Sequence, residues 1–183
     1  KTMTNIIGFN RVSAYASEVL KDTSSLKMEL SIFSSVTSIG SEAFKNSGIT
    51  FTSVDLTGCT SSGSVGTNAF TGTTVKKLVV NNNGVKATYN NYSVASSSDK
   101  YPFYNVKGFE TLVLKGTSFL DVMSSSMKSS VKAIEGLENI SGFSSSALEN
   151  TYNLKAEVSL TSKVTSIGSN AFKNSGLTFT SVD

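Results

Sequence analysis

The sequence predicts an α/β repeat solenoid in which short parallel strands alternate with short helical or irregular returns. Three observations support this fold class: a long internal duplication, a recurring strand pattern and a recurring return pattern. Because one strand and one return cannot cover their own apolar faces, such units are stable only when they stack. We therefore expect residues 1–183 to form a single solenoid of roughly seven units.

The duplication is the strongest of the three observations. Residues 36–55 recur as residues 164–183, and only two of the twenty positions differ. One difference is Glu42 against Asn170, and the other is Ile49 against Leu177. The match continues more loosely upstream at the same offset, so residues 1–55 as a whole are repeated as residues 129–183. A polar exchange and an exchange of similar apolar volume are what a repeated packing role tolerates.

The strand pattern places apolar residues at positions i, i+3 and i+5. Each occurrence predicts one short strand with its apolar side facing a core. The clearest occurrences are Phe51, Val54 and Leu56; Val75, Leu78 and Val80; and Phe109, Leu112 and Leu114.

The return pattern is an apolar residue followed, four and five positions later, by a small and then a bulky residue. We expect the bulky residues to form one internal column, in which Phe44, Phe70 and Phe172 are almost fully buried. The predicted column consists of Phe44, Phe70, Met127, Leu148 and Phe172. A glycine that follows the first apolar residue of the pattern is expected to relax the turn. These glycines are Gly40, Gly66 and Gly168.

The motif formed by Ile39-Gly40, Ala43-Phe44 and the strand that follows resembles the BspA-like type of leucine-rich repeat. The resemblance departs from the family pattern after Phe44, where Asn46 or Ser47 stands at the usual cysteine position. It implies a leucine-rich-repeat type of solenoid and an extracellular or cell-surface location. It also implies a role in adhesion or in recognition of a protein or glycan ligand.

The residue types argue against catalysis. The chain has no histidine, which excludes the usual catalytic triads and histidine metal ligands. Its single cysteine, Cys59, has no basic neighbour in sequence, so we predict an inert thiol. The carboxylates are dispersed, and we therefore predict no enzyme activity, no metal and no cofactor.

The charge pattern argues against nucleic acid as a partner. The net charge of +3 comes from scattered lysines and from Arg11, without a concentrated basic stripe. No apolar run is long enough to span a membrane, so we predict no membrane insertion by this segment.

One unit is about ten residues longer than its neighbours, between Val75 and Phe109. We predict that a loop near residues 81–101 projects from the solenoid, with Tyr89, Tyr92 and Tyr101 as candidate partner-binding residues. The alternative is that the extra residues are a tolerated insertion whose tyrosines pack on the solenoid.

The sequence thus predicts a non-enzymatic surface module for adhesion or recognition. The alternative is a structural subunit of an extracellular filament or surface layer, whose partners are copies of itself. Because residues 1–20 resemble the internal residues 129–148, we also expect the chain to be one segment of a longer tandem array. The glycosylation triplets at Asn91 and Asn139 leave glycosylation open.

Overall fold

The computed structural model describes residues 6, 8–83, 89, 99–119 and 122–182. In this part of the chain every pair of hydrogen-bonded strands is parallel. The predicted solenoid of short parallel strands is therefore confirmed.

The longer strands, each of three to six residues, form the main face of the solenoid. They are β2 (Glu29–Ile32), β4 (Thr50–Asp55), β6 (Lys77–Val80), β7 (Thr111–Leu114), β9 (Ala133–Glu135), β11 (Ala156–Leu160) and β13 (Leu177–Val182). Strands β2, β4, β6, β7 and β9 lie side by side in one sheet, and β5 (Thr74–Val75) pairs with β4 in that sheet. Strands β11 and β13 form a separate pair. Apolar side chains such as Leu112 and Leu114 point inward, as the strand pattern predicts.

Two-residue strands form a second row of pairings. They are β1 (Ala14–Tyr15), β3 (Ser38–Ile39), β8 (Ser118–Phe119), β10 (Gly142–Phe143) and β12 (Ser166–Ile167). Strand β1 pairs with β3, and β10 lies between β8 and β12. A single bridge from Ile39 to Val65 extends the row into the next unit.

Most returns are turns, so the helical part of the α/β prediction is not confirmed. Among the described residues there is one α-helix, α1 (Ser125–Ser130), with two 3₁₀ turns at Phe9–Arg11 and Leu137–Asn139. The reason is visible in the return at Phe44, whose N–H donates to Ala69 O at 2.8 Å. Because such N–H groups bond to the next unit, they do not form the internal ladder of a helix.

The bulky residues of the returns form the predicted internal column. Phe44, Phe70, Met127 and Leu148 have no exposed surface. Phe172 is only partly buried, so the prediction of near-complete burial is wrong for this residue. It lies in the last described unit, where no further unit packs over its ring.

The repeated glycines permit close approach between neighbouring units. A Cβ atom on Gly66 would lie 2.4 Å from Ser41 N, and one on Gly168 would lie 2.3 Å from Ser145 N. Neither glycine has a positive φ angle. The small residue is needed because backbones of successive units meet there, and turn relaxation is not the reason.

Candidate binding site at the long unit

The start of the long unit is fixed to the next unit by side-chain amides. Asn82 is buried, and its Oδ1 accepts a hydrogen bond of 2.6 Å from Gly116 N while its Nδ2 donates to Ser118 O. Asn83 Oδ1 accepts bonds of 2.9 and 3.0 Å from Thr117 N and Ser118 N. The asparagine run therefore joins two units, and sequence analysis missed this role because it assigned the run to a projecting loop.

Two of the three candidate tyrosines lie inside the solenoid. Tyr89 and Tyr101 are each 2% exposed, and their ring centroids lie 5.6 Å apart at 74°. Both rings pack near Phe103, at 5.9 and 6.1 Å. For these two residues the prediction of accessible rings is wrong and the alternative, in which the tyrosines pack on the solenoid, is confirmed, because their apolar surface is buried beside Phe103. Tyr92 lies outside the described residues.

The hydroxyls of these tyrosines differ in their bonding. Tyr101 Oη donates to the carbonyl of Val122, which lies in the following unit. Complete burial raises the pKa of Tyr89 well above its usual value. The Tyr89 ring is consequently neutral at ordinary pH, and both rings act as packing groups beside Phe103.

Cys59 occupies a buried position near Val36. Its Sγ donates to Val36 O at 3.4 Å, and burial, with a smaller effect from Asp55, raises its pKa to about 11. A thiol that stays protonated is a poor nucleophile and a poor metal ligand. This environment agrees with the inert thiol that the sequence predicts.

Ion pairs connect charged side chains within and between units on the surface of the returns. Lys21 Nζ lies 2.5 Å from Glu42 Oε2, and Lys45 Nζ lies 2.7 Å from Glu42 Oε1. Hydrogen bonds from the two lysines lower the pKa of Glu42 to about 2. A paired carboxylate of this kind is not poised to transfer protons near neutral pH, so it resembles a structural contact between units.

Within the described ranges, no group of three or more histidine, cysteine, aspartate or glutamate side chains is placed to hold a metal ion. The same part of the structure has no helix long and apolar enough to cross a membrane.

A comparison with protein families identifies the type of repeat. The family model described as a BspA type leucine rich repeat region matches residues 15–97 and 89–178. A leucine rich cell surface protein from Faecalibacterium prausnitzii A2-165 is 20% identical, with a TM-score of 0.47. That match covers 93% of this chain and 43% of the other, so the chain spans less than half the length of that protein. No protein with a curated description matches.

Proposed function

Because the chain belongs to the BspA-type leucine-rich-repeat family, we propose that it is a non-enzymatic recognition module at a cell surface. The observation that carries this proposal is the single enlarged unit in an otherwise regular solenoid. An insertion into one repeat is tolerated because the stacked units on either side supply the stability. Such insertions are often displayed on the binding face of a repeat protein. The partner is a protein or glycan exposed outside the cell.

Within this proposal, the contact surface comprises the part of the insertion around Tyr92. Tyr89 and Tyr101 support the insertion from inside, because their rings pack beside Phe103. Tyrosine is a common contact residue, since it offers a large surface with only two rotatable side-chain bonds.

The test is binding of the whole chain to immobilised mucins and extracellular-matrix proteins. Tyr92→Ala is expected to weaken binding at least about tenfold, the loss typical of a central contact residue. Tyr152→Ala is the matched control, because Tyr152 is 61% exposed but lies on a different unit. Equal effects of the two substitutions, or no binding by the unaltered chain, would contradict the proposal.

The second candidate is a structural subunit whose partner is another copy of the chain. It is favoured by the duplication of residues 36–55 as residues 164–183, because a solenoid whose units recur can repeat the same contacts with copies of itself. Sedimentation that shows concentration-dependent chains of copies would favour this candidate over the recognition module.

A further inference from the structure

One of the two glycosylation triplets lies entirely within the described residues. It consists of Asn139, Ile140 and Ser141, whereas the triplet at Asn91 lies outside them. An asparagine followed at the second position by serine or threonine is the acceptor pattern for an N-linked oligosaccharide when the middle residue is not proline. Such triplets also arise by chance, so the structural context decides whether this one can serve. A usable acceptor lies on a surface loop of the folded protein.

Asn139 meets this condition. It is the last residue of the 3₁₀ turn Leu137–Asn139, which connects β9 on the main face with β10 in the second row. Asn139 is exposed, whereas the next residue, Ile140, is buried in the core. The turn is thus fixed from inside by its neighbour, and the asparagine itself is accessible to solvent.

The hydrogen bond of the Asn139 amide stays within its own turn. Nδ2 donates to Oε1 of the adjacent Glu138 at 3.1 Å, and both residues are exposed. Asn153 differs, because its Nδ2 donates at 2.7 Å to the carbonyl of Ser129 in the preceding unit. A bond between two exposed neighbours contributes little, since water can solvate both groups. A sugar on Nδ2 of Asn139 therefore replaces no contact between units.

The hydroxyl of the triplet belongs to the repeated design. Ser141 donates to Thr117 O from its N–H at 2.7 Å and from its Oγ at 3.2 Å. Thr165 donates in the same way to Ser141 O, at 2.7 and 3.1 Å. In the earlier copy the equivalent residues are Arg11, Val12 and Ser13, so the hydroxyl is kept while the asparagine is not. Because Arg11 is also exposed, the fold accepts different polar side chains at this position.

The triplet lies beside the base of the insertion. Thr117 N donates to Asn83 Oδ1 at 2.9 Å, and Thr117 O accepts from Ser141 N at 2.7 Å. The insertion follows Asn83 in the sequence, so one residue of the intervening unit contacts both its base and the triplet. A glycan on Asn139 would therefore stand on the same side of the solenoid as the base of the insertion.

We propose that Asn139 is an acceptor site for an N-linked oligosaccharide. In the transfer, Nδ2 of Asn139 forms a bond to the anomeric carbon of an oligosaccharide that is carried on a lipid pyrophosphate. The bond from this carbon to the pyrophosphate oxygen breaks, the lipid pyrophosphate leaves with the electron pair, and the amide nitrogen loses a proton. The donor and its transferase belong to a secretory pathway, so the inference rests on the extracellular location in the proposed function. It does not depend on which partner the chain recognises.

The test is secretion of the whole chain, behind a supplied signal peptide, from eukaryotic cells that perform N-glycosylation. Because the signal peptide is supplied, failure of the proposed recognition function would not affect the result. We expect a mass above that of the polypeptide, which falls on treatment with peptide N-glycosidase. This enzyme leaves an aspartate where the glycan was attached, and peptide mass spectrometry should find it at position 139.

Four variants distinguish the triplet from incidental modification. Asn139→Gln and Ser141→Ala should each abolish modification at this site, whereas Ser141→Thr should retain it because threonine keeps the hydroxyl. Arg11→Asn creates the same triplet at the end of the equivalent turn, Phe9–Arg11, and should add a second glycan. Asn150 is the internal control, because it is exposed but lacks a hydroxyl residue two positions later.

An unmodified Asn139 in the secreted chain would overturn the proposal, and so would equal modification in the Ser141→Ala variant. A glycan at position 11 of Arg11→Asn without one at Asn139 would also overturn it. Thermal unfolding of unglycosylated protein tests the structural premise. The midpoints of Asn139→Gln and the unaltered chain should coincide, and a large loss in the variant would show that the fold itself needs this amide.

Discussion

The rings of Phe70 and Phe103 stack face to face, with centroids 4.8 Å apart and an interplanar angle of 3°. The whole insertion lies between them in the sequence, yet they are neighbours in the internal column. Phe70 N also donates to Pro102 O at 2.8 Å, as Phe44 N donates to Ala69 O in the preceding unit. The long unit therefore closes with the same contacts as the regular units.

Removal of either stacked ring should destabilise the fold strongly. We expect Phe70→Ala to lower the free energy of unfolding by about 3–5 kcal/mol, because it leaves a cavity in a fully packed column. Phe172→Ala is the matched control, and its cost should be clearly smaller because Phe172 is only partly buried. Urea unfolding followed by circular dichroism measures both, and equal costs would contradict the burial difference.

The close approach between units can be tested with a single methyl group. Gly66→Ala should lower the free energy of unfolding by about 1–3 kcal/mol, because its Cβ would meet backbone atoms of Ser41 at 2.4 Å. Gly142→Ala is the control, since its Cβ would first meet the movable Ser166 Oγ at 2.6 Å. Equal thermal unfolding midpoints for the two variants would show that the units are not held at this distance.

The anchoring of the insertion depends on Asn82. We expect Asn82→Ala to lower the free energy of unfolding by about 1–3 kcal/mol, because Gly116 N is left without its acceptor in a buried place. Asn81→Ala should have a much smaller effect, since Asn81 is exposed. Denaturant titration of both variants tests the difference, and a larger loss for Asn81→Ala would contradict the anchoring role.

The contact of Glu42 with Lys21 and Lys45 should make stability depend on pH. The pKa of Glu42 is lowered from 4.5 to about 2, so its stabilising effect is complete above about 4.5 and is lost as the pH falls to about 2. The control variant is Glu42→Asn, because Asn170 occupies the equivalent place with a similar φ angle. Thermal unfolding midpoints of both proteins are measured from pH 7 to pH 2. The difference between the two midpoints should be constant above pH 5. Below pH 5 the midpoint of the unaltered protein should fall relative to that of the variant. A difference that does not vary with pH would exclude the ion pairs as its cause.

Much of the fold could be predicted from the sequence, because the apolar positions recur at fixed offsets. The positions of Phe44 and Phe70 follow directly from that recurrence. The return conformation could not be predicted in this way. The same spacing of apolar residues suits a helical turn, and only the partner of the Phe44 N–H group, in the next unit, distinguishes the two.

The candidate site was less predictable. Tyrosine suits both a binding surface and a core, and the side chains of Tyr89 and Tyr101 pack at a place that no local pattern indicates.

The most direct test of the solenoid is an NMR measurement of scalar coupling across hydrogen bonds. The central claim is that, in the turn returns, alternate N–H groups bond to the next unit, as Phe44 N does to Ala69 O, while a group between them such as Lys45 N bonds back to Glu42 O within the return. We expect a coupling between the amide nitrogen of Phe44 and the carbonyl carbon of Ala69, and likewise between Leu148 and Ala171. A coupling from Phe44 to Gly40 instead would show a helical return and would contradict the account.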